Sequence, residues 1–426
     1  MKKTDLPSKT FCVNPWLHMN IQADGAAYHC CLSPLDKPIG NVKDNTLEEL
    51  WNSPKMKEIR KDMIDGKRHS GCTKCYHIED TGMKSPRDSN NSNFADSIPT
   101  ILDETDLETG HNDKFQIKYW DIRWSNICNF KCRMCGVFSS SKWADDDEAL
   151  HGIVTKEPGG IISFKKEAKS DIMEYVDKFI MDVEEIYFAG GEPLIMEEHY
   201  EILEKLIAAG RTDVRLRYNT NFSHLKFKKW DLMGLWKPFR DDPKGSVKLA
   251  ASLDAVGKLA EIARNGTKWN QVEKNLKYCV DEGIDIHIAP TISVLNAFYV
   301  YELVDLAIEF GIPPWSISLN NILVGPAHYD IRVLPFHLKE KLKEELKSYI
   351  DKCELPEYKA VLTYGYDAWM NHMDSTFQYK RNAAEDELVR STMILDERRG
   401  ENFLSVNPQY KEWFGSIRDR QRGILI

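Results

Sequence analysis

The chain has 426 residues, 42% of them hydrophobic, and a formal net charge of −9. That length exceeds one ordinary domain and predicts two or three modules with a sizeable core. The acidic balance argues against a nucleic-acid partner, and no apolar run of about 18 residues is present to cross a membrane.

The first residues, Met1-Lys-Lys-Thr-Asp-Leu-Pro7, are basic but lack an apolar stretch, so they do not read as a signal peptide. The ten cysteines are therefore expected in a reducing, cytoplasmic compartment, where clustered cysteines bind metal more often than they pair. Residues 1–82 read as one compact module. In it, Leu17-His-Met-Asn-Ile-Gln-Ala-Asp-Gly25 predicts a strand and a hairpin turn, with Asp24-Gly25 as the turn. Thr46-Leu-Glu-Glu49 is a capping box opening a short helix. Ser53-Pro54 opens a second helix, with Met56, Ile59, Met63 and Ile64 on one face and Gly66 beyond its end. Cys72-Thr-Lys-Cys75 closes the module.

Residues 83–113 are rich in Ser, Asn and Asp and read as a polar linker. From 114 to 330, strand-like runs centred near residues 120, 187, 216, 249, 288 and 318 alternate with helical stripes such as Val272, Leu276 and Val280. This alternation predicts an α/β fold of βα units around a parallel sheet, with Gly210, Gly283 and Gly311 ending helices. Residues 139–170 read as a surface excursion, and Lys226-Phe-Lys-Lys229 as a solvated helix face. From 331 to 426 the pattern is helical and charged, with Leu342, Leu346 and Ile350 on one face.

The chemistry centres on Cys128-Asn-Phe-Lys-Cys132-Arg-Met-Cys135, just after the first barrel-like strand. Three thiolates at this spacing can hold three irons of one [4Fe–4S] cube and leave the fourth iron open to bind and reduce a small molecule. A structural zinc site would want a fourth thiolate or imidazole close by, and the nearest histidines, His111 and His151, lie outside the loop. The later strands end in Gly190-Gly191-Glu192-Pro193, in Asn219-Thr220-Asn221 and in Ser252-Leu253-Asp254, with Arg264 ten residues after the aspartate. Glycines allow close backbone approach to a ligand, asparagines can bond ribose hydroxyls or make strand-end turns, and a guanidinium fork suits a carboxylate.

This order of motifs, across roughly residues 115 to 325, resembles the radical S-adenosylmethionine (SAM) enzymes. The resemblance implies a partial (β/α)6 barrel of the TIM type. It implies that Cys128, Cys132 and Cys135 hold the cluster that binds SAM. Gly190, Gly191, Glu192, Pro193, Asn219, Asn221, Ser252 and Arg264 would contact SAM; Met134 stands where the family usually has an aromatic residue against adenine, and Asn296 is a weaker candidate for SAM or substrate.

Cys12 and Cys30 fit a C-x12-G-x4-C pattern around Gly25, and with Cys72 and Cys75 they resemble the twitch domain, a shortened SPASM domain holding an auxiliary [4Fe–4S] cluster. Here that module precedes the barrel. Cys31 is the alternative to Cys30, and four thiolates would suit zinc equally well. Cys279 and Cys353 lie in helical patterns and read as buried small hydrophobes. No catalytic side chain is assigned beyond the clusters. The whole implies two [4Fe–4S] clusters, SAM, a one-electron donor such as flavodoxin or ferredoxin, and no membrane partner. A peptide side chain or a small alcohol or sugar would be oxidised through the auxiliary cluster. A redox-neutral epimerase or rearrangement enzyme and a non-catalytic iron–sulfur scaffold are the alternatives.

Overall fold

The computed structural model describes residues 6–80, 82, 84–152, 154 and 157–422, so the basic first residues and the last four lie outside it. The chain divides into two compact units. Residues 1–126, 162–217 and 233–247 build the first, and 127–161, 218–232 and 248–426 the second. The fold is α/β, with a largely parallel sheet and a helical C-terminal part. Among the described residues, no helix is long and apolar enough to cross a membrane.

In the first unit, the predicted hairpin pairs His18–Ile21 with Ala26–Tyr28 in antiparallel register, Asn20 opposite Tyr28. Its turn is closed by Gly25 N donating to Gln22 O at 2.9 Å. The outer edge of His18–Ile21 then pairs in parallel with Tyr119–Ile122, His18 opposite Tyr119 and Ile21 opposite Ile122. Tyr119–Ile122 pairs in turn with Glu185–Phe188. The N-terminal hairpin and the first barrel strand therefore share one sheet, which the sequence reading had split between two modules. Strand alternation separates two faces. Met19, Ile21, Trp120 and Ile122 line an apolar gap with Leu47, Ile172 and Val176, while His18, Asn20, Asp121 and Glu185 are buried polar residues.

The helix starts follow their caps. Thr46 and Glu49 form the reciprocal capping box of Leu47–Trp51, and Ser53 caps Pro54–Ile64. The segment expected as a polar linker is folded. It carries helices Pro86–Asn93 and Ile98–Asp103, with Phe94, Ile98 and Ile101 buried. The reason is hydrogen bonding, to which a hydropathy reading is blind. Asn91 accepts from Val13 N at 2.8 Å and donates to Phe11 O at 2.9 Å, and Thr105 accepts from Trp16 Nε1 at 2.9 Å.

In the second unit, Lys248–Ala251 pairs in parallel with Asp285–Ile288. The expected strand near residue 318 shrinks to two isolated parallel bridges, Ile288 with Ile317 and Ile292 with Ile322. Pro313 and Pro314 lie just before it, and proline supplies no ladder donor. Tyr301–Phe310 ends at Gly311 in the left-handed region, and Gly283 takes the same conformation after Trp269–Asp281.

Two other expectations change. Residues 226–231 form a small hairpin, Lys226–Phe227 against Trp230–Asp231, rather than a helix face. The excursion at 139–170 is partly core: Trp143 and Leu150 pack on Leu395 of the helix Arg381–Arg399. Leu342, Leu346 and Ile350 are buried as expected, whereas Cys353 sits half-exposed at the end of its helix; Cys279 is buried.

Gly25 holds φ at +87°, and a β-carbon there would stand 2.6 Å from Asn41 Oδ1. Gly25→Ala is expected to lower stability by about 1 kcal/mol or more, read as a lower urea midpoint at unchanged slope.

Candidate iron–sulfur and cofactor sites

The loop carrying Cys128, Cys132 and Cys135 is fastened at several points within the second unit. Lys131–Cys132 pairs antiparallel with Arg264–Asn265, Cys132 opposite Arg264. Asn221 Nδ2 donates to Asn129 Oδ1 at 3.0 Å, and Asn129 Nδ2 donates to Ser223 Oγ at 2.9 Å. Trp143 Nε1 donates to Cys132 O at 2.9 Å. Arg133, fully buried between the second and third cysteines, donates to Glu401 at 2.6 Å and to Asp396, while its Nε donates to Ile262 O at 3.2 Å. Gly266, at φ +108°, lets Phe130 and Asn129 O come close: a β-carbon there would lie 2.8 Å from the Phe130 ring.

The three thiols are half-buried. Burial pushes the Cys132 thiol up to about 12 and raises Cys135 as well. A metal must therefore displace protons here, as thiolate ligation generally requires. Phe130 N donates to Cys128 Sγ at 3.4 Å, the kind of bond that steadies a thiolate.

Beside this loop stands an ion pair. Arg264 Nε and Nη2 donate to the two oxygens of Asp254 at 2.6 and 3.0 Å, and Nη1 faces Cys132 Sγ at 3.8 Å. Burial alone would lower the guanidinium's pKa; the Asp254 charge outweighs it and leaves it raised. Asp254 is fully buried and also accepts from Thr291 N at 2.9 Å. Asn296 donates to Asp254 O at 2.8 Å and to Thr291 O at 3.1 Å, and it accepts from Ser293 N at 2.8 Å. Asn296 thus holds the aspartate's loop in shape, which is a positioning task. Ser252 and Met134 are half-buried and Asn219 is exposed.

The Gly-Gly-Glu turn belongs to the first unit. Gly190 holds φ at +121°, and its missing β-carbon would lie 3.3 Å from Arg123 Cβ. Gly191 is half-buried. Glu192 is buried and accepts from Leu194 N at 3.1 Å, capping the turn that Pro193 opens.

Also in the first unit, Cys12, Cys30, Cys72 and Cys75 line one small enclosed gap with Asn14 and Arg87; Cys31 is not among its lining residues. Asn14 Nδ2 lies 3.7 Å from Cys30 Sγ, and Leu32 N donates to the same sulfur at 3.5 Å. Burial raises the thiols of Cys12, Cys72 and Cys75, Cys72 to about 12. Four thiols lining one small gap are a donor set of the kind that can close every position of a metal centre. His29 was not singled out from sequence, although it directly precedes Cys30. Its Nε2 lies 3.4 Å from Cys72 Sγ and its Nδ1 3.1 Å from Ser33 Oγ. Burial draws this imidazole down to about 3, so it is neutral. Arg133 and Asn129 were also missed; both stand inside the cysteine motif, at positions the ligand pattern leaves open.

The radical SAM superfamily matches residues 122–307, and SPASM, an iron–sulfur cluster-binding domain, matches residues 12–76. The chain carries a radical SAM domain preceded by a SPASM-type iron–sulfur domain. The first match spans Cys128, Cys132, Cys135 and Arg264; the second spans Cys12, Cys30, Cys72 and Cys75. These domains indicate iron–sulfur clusters and SAM as cofactors. No curated protein matches the chain. Among solved structures, it is similar to SuiB of Streptococcus suis bound to S-adenosylmethionine, at 16% identity and TM-score 0.35, covering 69% of this chain and 63% of that one. It is similar to SuiB bound to the precursor peptide SuiA at 16% identity and TM-score 0.33, covering 63% and 61%.

Removing one partner of a buried ion pair leaves uncompensated charge and costs about 3–5 kcal/mol. Arg133→Met is expected to fall in that range by urea unfolding. Arg398→Met, whose partner Asp146 keeps Lys131 and Arg399, should cost less than about 1 kcal/mol.

Proposed function

We propose that this protein reductively cleaves SAM and abstracts hydrogen from a substrate, which is then oxidised through an auxiliary cluster. The observation that carries the reading is the Arg264 side chain. Asp254 fixes it through two nitrogens, and the third is held against the middle cysteine of the loop. A preorganised guanidinium beside the cluster ligands suits the SAM carboxylate.

Cys128, Cys132 and Cys135 would hold a cluster with an iron left open for SAM, and that cluster would supply the one-electron chemistry for its reductive cleavage. The chain's own residues bind and orient. Gly190, Gly191, Glu192 and Pro193 form the turn for the SAM ammonium group, Asn219 and Ser252 serve the nucleoside, and Met134 packs on adenine. Asn221, whose amide already joins Asn129 and Ser223, acts by holding the cysteine loop. Cys12, Cys30, Cys72 and Cys75 would hold the auxiliary cluster, and the gap lined by Cys30 without Cys31 supports that choice. The auxiliary domain is assigned to residues 1–82, the barrel to 114–330 and a helical extension to 331–426. The substrate is a peptide side chain or a small alcohol or sugar, and a flavodoxin or ferredoxin supplies the first electron.

Anaerobic reconstitution should give about eight irons and eight sulfides per chain. Replacing Cys128, Cys132 and Cys135 by alanine should halve the count, as should replacing the other four. The reduced wild-type protein should form 5′-deoxyadenosine slowly without substrate; none forming, even with cell extract supplied as substrate, would sink the catalytic reading. Zinc at one equivalent with no iron in the N-terminal module would sink the auxiliary cluster.

Arg264→Ala should weaken SAM binding about tenfold to a hundredfold, the worth of a charge-assisted bond, with iron content unchanged. Equal affinity in the variant would confine Arg264 to its pair with Asp254.

In a folded variant lacking the auxiliary cysteines, deoxyadenosine should still form while the oxidised product disappears. Full product formation would leave that site structural, and product with no net oxidation would favour an epimerase.

A further inference from the structure

Strands of a parallel sheet covered on both faces are usually apolar throughout, and barrel interiors are filled by branched apolar side chains. One face of the first unit's sheet departs from this. The residues alternating with Met19, Ile21, Trp120 and Ile122 are His18, Asn20, Gln22, Tyr119, Asp121 and Arg123. His18, Asn20 and Asp121 are 0% exposed and Gln22 is 5% exposed, so this is no solvated surface.

Nor is the polar set closed on itself. Gln22 Nε2 donates to Asn20 Oδ1 at 2.8 Å, which fixes the amide and turns Asn20 Nδ2 away. That Nδ2 has no protein partner, and neither does Asp121 Oδ2. Asn20 and Asp121 are register partners on adjacent parallel strands. A buried donor and a buried acceptor thus stand side by side with their hydrogen bonds unmade, where folded proteins leave few such atoms. Arg123 approaches Asp121 Oδ1 and Gln22 Oε1 only at 3.4 and 3.5 Å. Its opposite charge compensates the aspartate, so the missing partner need carry no net charge. Arg123 also runs beside Gly190 of the Gly-Gly-Glu turn.

We propose that Asn20, Asp121 and Arg123 recognise a neutral polar group of the substrate, a hydroxyl or a carboxamide. It accepts a hydrogen bond from Asn20 Nδ2 and donates one to Asp121 Oδ2, while Gln22 positions the Asn20 amide. The iron–sulfur module would then supply half of the substrate site, since Asn20 lies on the strand after Cys12 and Asp121 on the first barrel strand. The proposal rests on the catalytic reading only in calling the ligand a substrate.

The test uses the cluster-loaded full chain and two probes, myo-inositol for the hydroxyl source and N-acetylasparagine amide for the carboxamide source. Thermal protection is titrated in the wild type, in Asn20→Leu and in Asp121→Asn. One probe should protect the wild type in proportion to its concentration, with affinity about tenfold or more weaker in both variants; which probe protects identifies the source. Asn20→Leu also gives up the bond from Gln22, and Asp121→Asn the charge that answers Arg123, so both variants are expected to melt lower, and protection is read against each variant's own probe-free melting temperature. If Asn20→Leu does not fold, Asn20→Asp removes the same donor while keeping the bond from Gln22. Absence of protection by either probe, or protection that the variants retain, would overturn the proposal. Binding needs no SAM turnover, so a protein that binds a probe yet never forms deoxyadenosine separates failure of the catalytic reading from failure of this one.

Discussion

A buried positive charge must be answered by negative charge and hydrogen bonds, or the fold cannot hold it. Arg133 imposes that condition on the second unit. It stands between Cys132 and Cys135, is fully buried, and is met by Asp396 and Glu401 from the C-terminal part of the chain. The cysteine loop's shape therefore depends on partners more than 260 positions away in the chain. Asp146 repeats the principle with opposite sign: it is buried, and Lys131, Arg398 and Arg399 converge on it. Through these two centres the charged C-terminal helix becomes part of the cysteine loop's support, and the acidic run before Glu148 gains a purpose a surface excursion would not have.

The two cysteine sites share a physical logic. In both, burial favours the protonated thiol, so a metal that binds must displace protons. In both, nearby N–H groups lean on sulfur: Phe130 N on Cys128, Leu32 N on Cys30. They differ in closure. Three thiols stand beside a fixed guanidinium at one site, and four line a narrow gap at the other.

Much of this was legible in the sequence because the signals were local. The Asp24-Gly25 turn, the Thr46–Glu49 box and the glycine helix ends each depend on a few neighbouring residues, and each appears where expected. What stayed hidden was long-range. Residues 83–113 looked like a linker because Asn91, Thr105 and Asn112 are polar, yet they are buried as partners for backbone and tryptophan groups. The hairpin at 226–231 was masked by its lysines. Arg133 carries no motif; its importance comes from acids that only the fold brings near. The polar face on Asn20 and Asp121 was invisible because the pairing of those two strands cannot be counted along the chain.

That pairing has a consequence for how the chain is built. A parallel strand with no neighbour exposes a row of unbonded N–H and C=O groups, an invitation to stick to other chains. Tyr119–Ile122 finds its neighbour, His18–Ile21, about a hundred residues earlier, already made when the ribosome reaches it. Pairing with His18–Ile21 covers that edge of Tyr119–Ile122, and the hairpin strand is covered in return. A barrel separated from its N-terminal hairpin would carry a raw edge, so the order of the two domains along the chain bears on safe assembly.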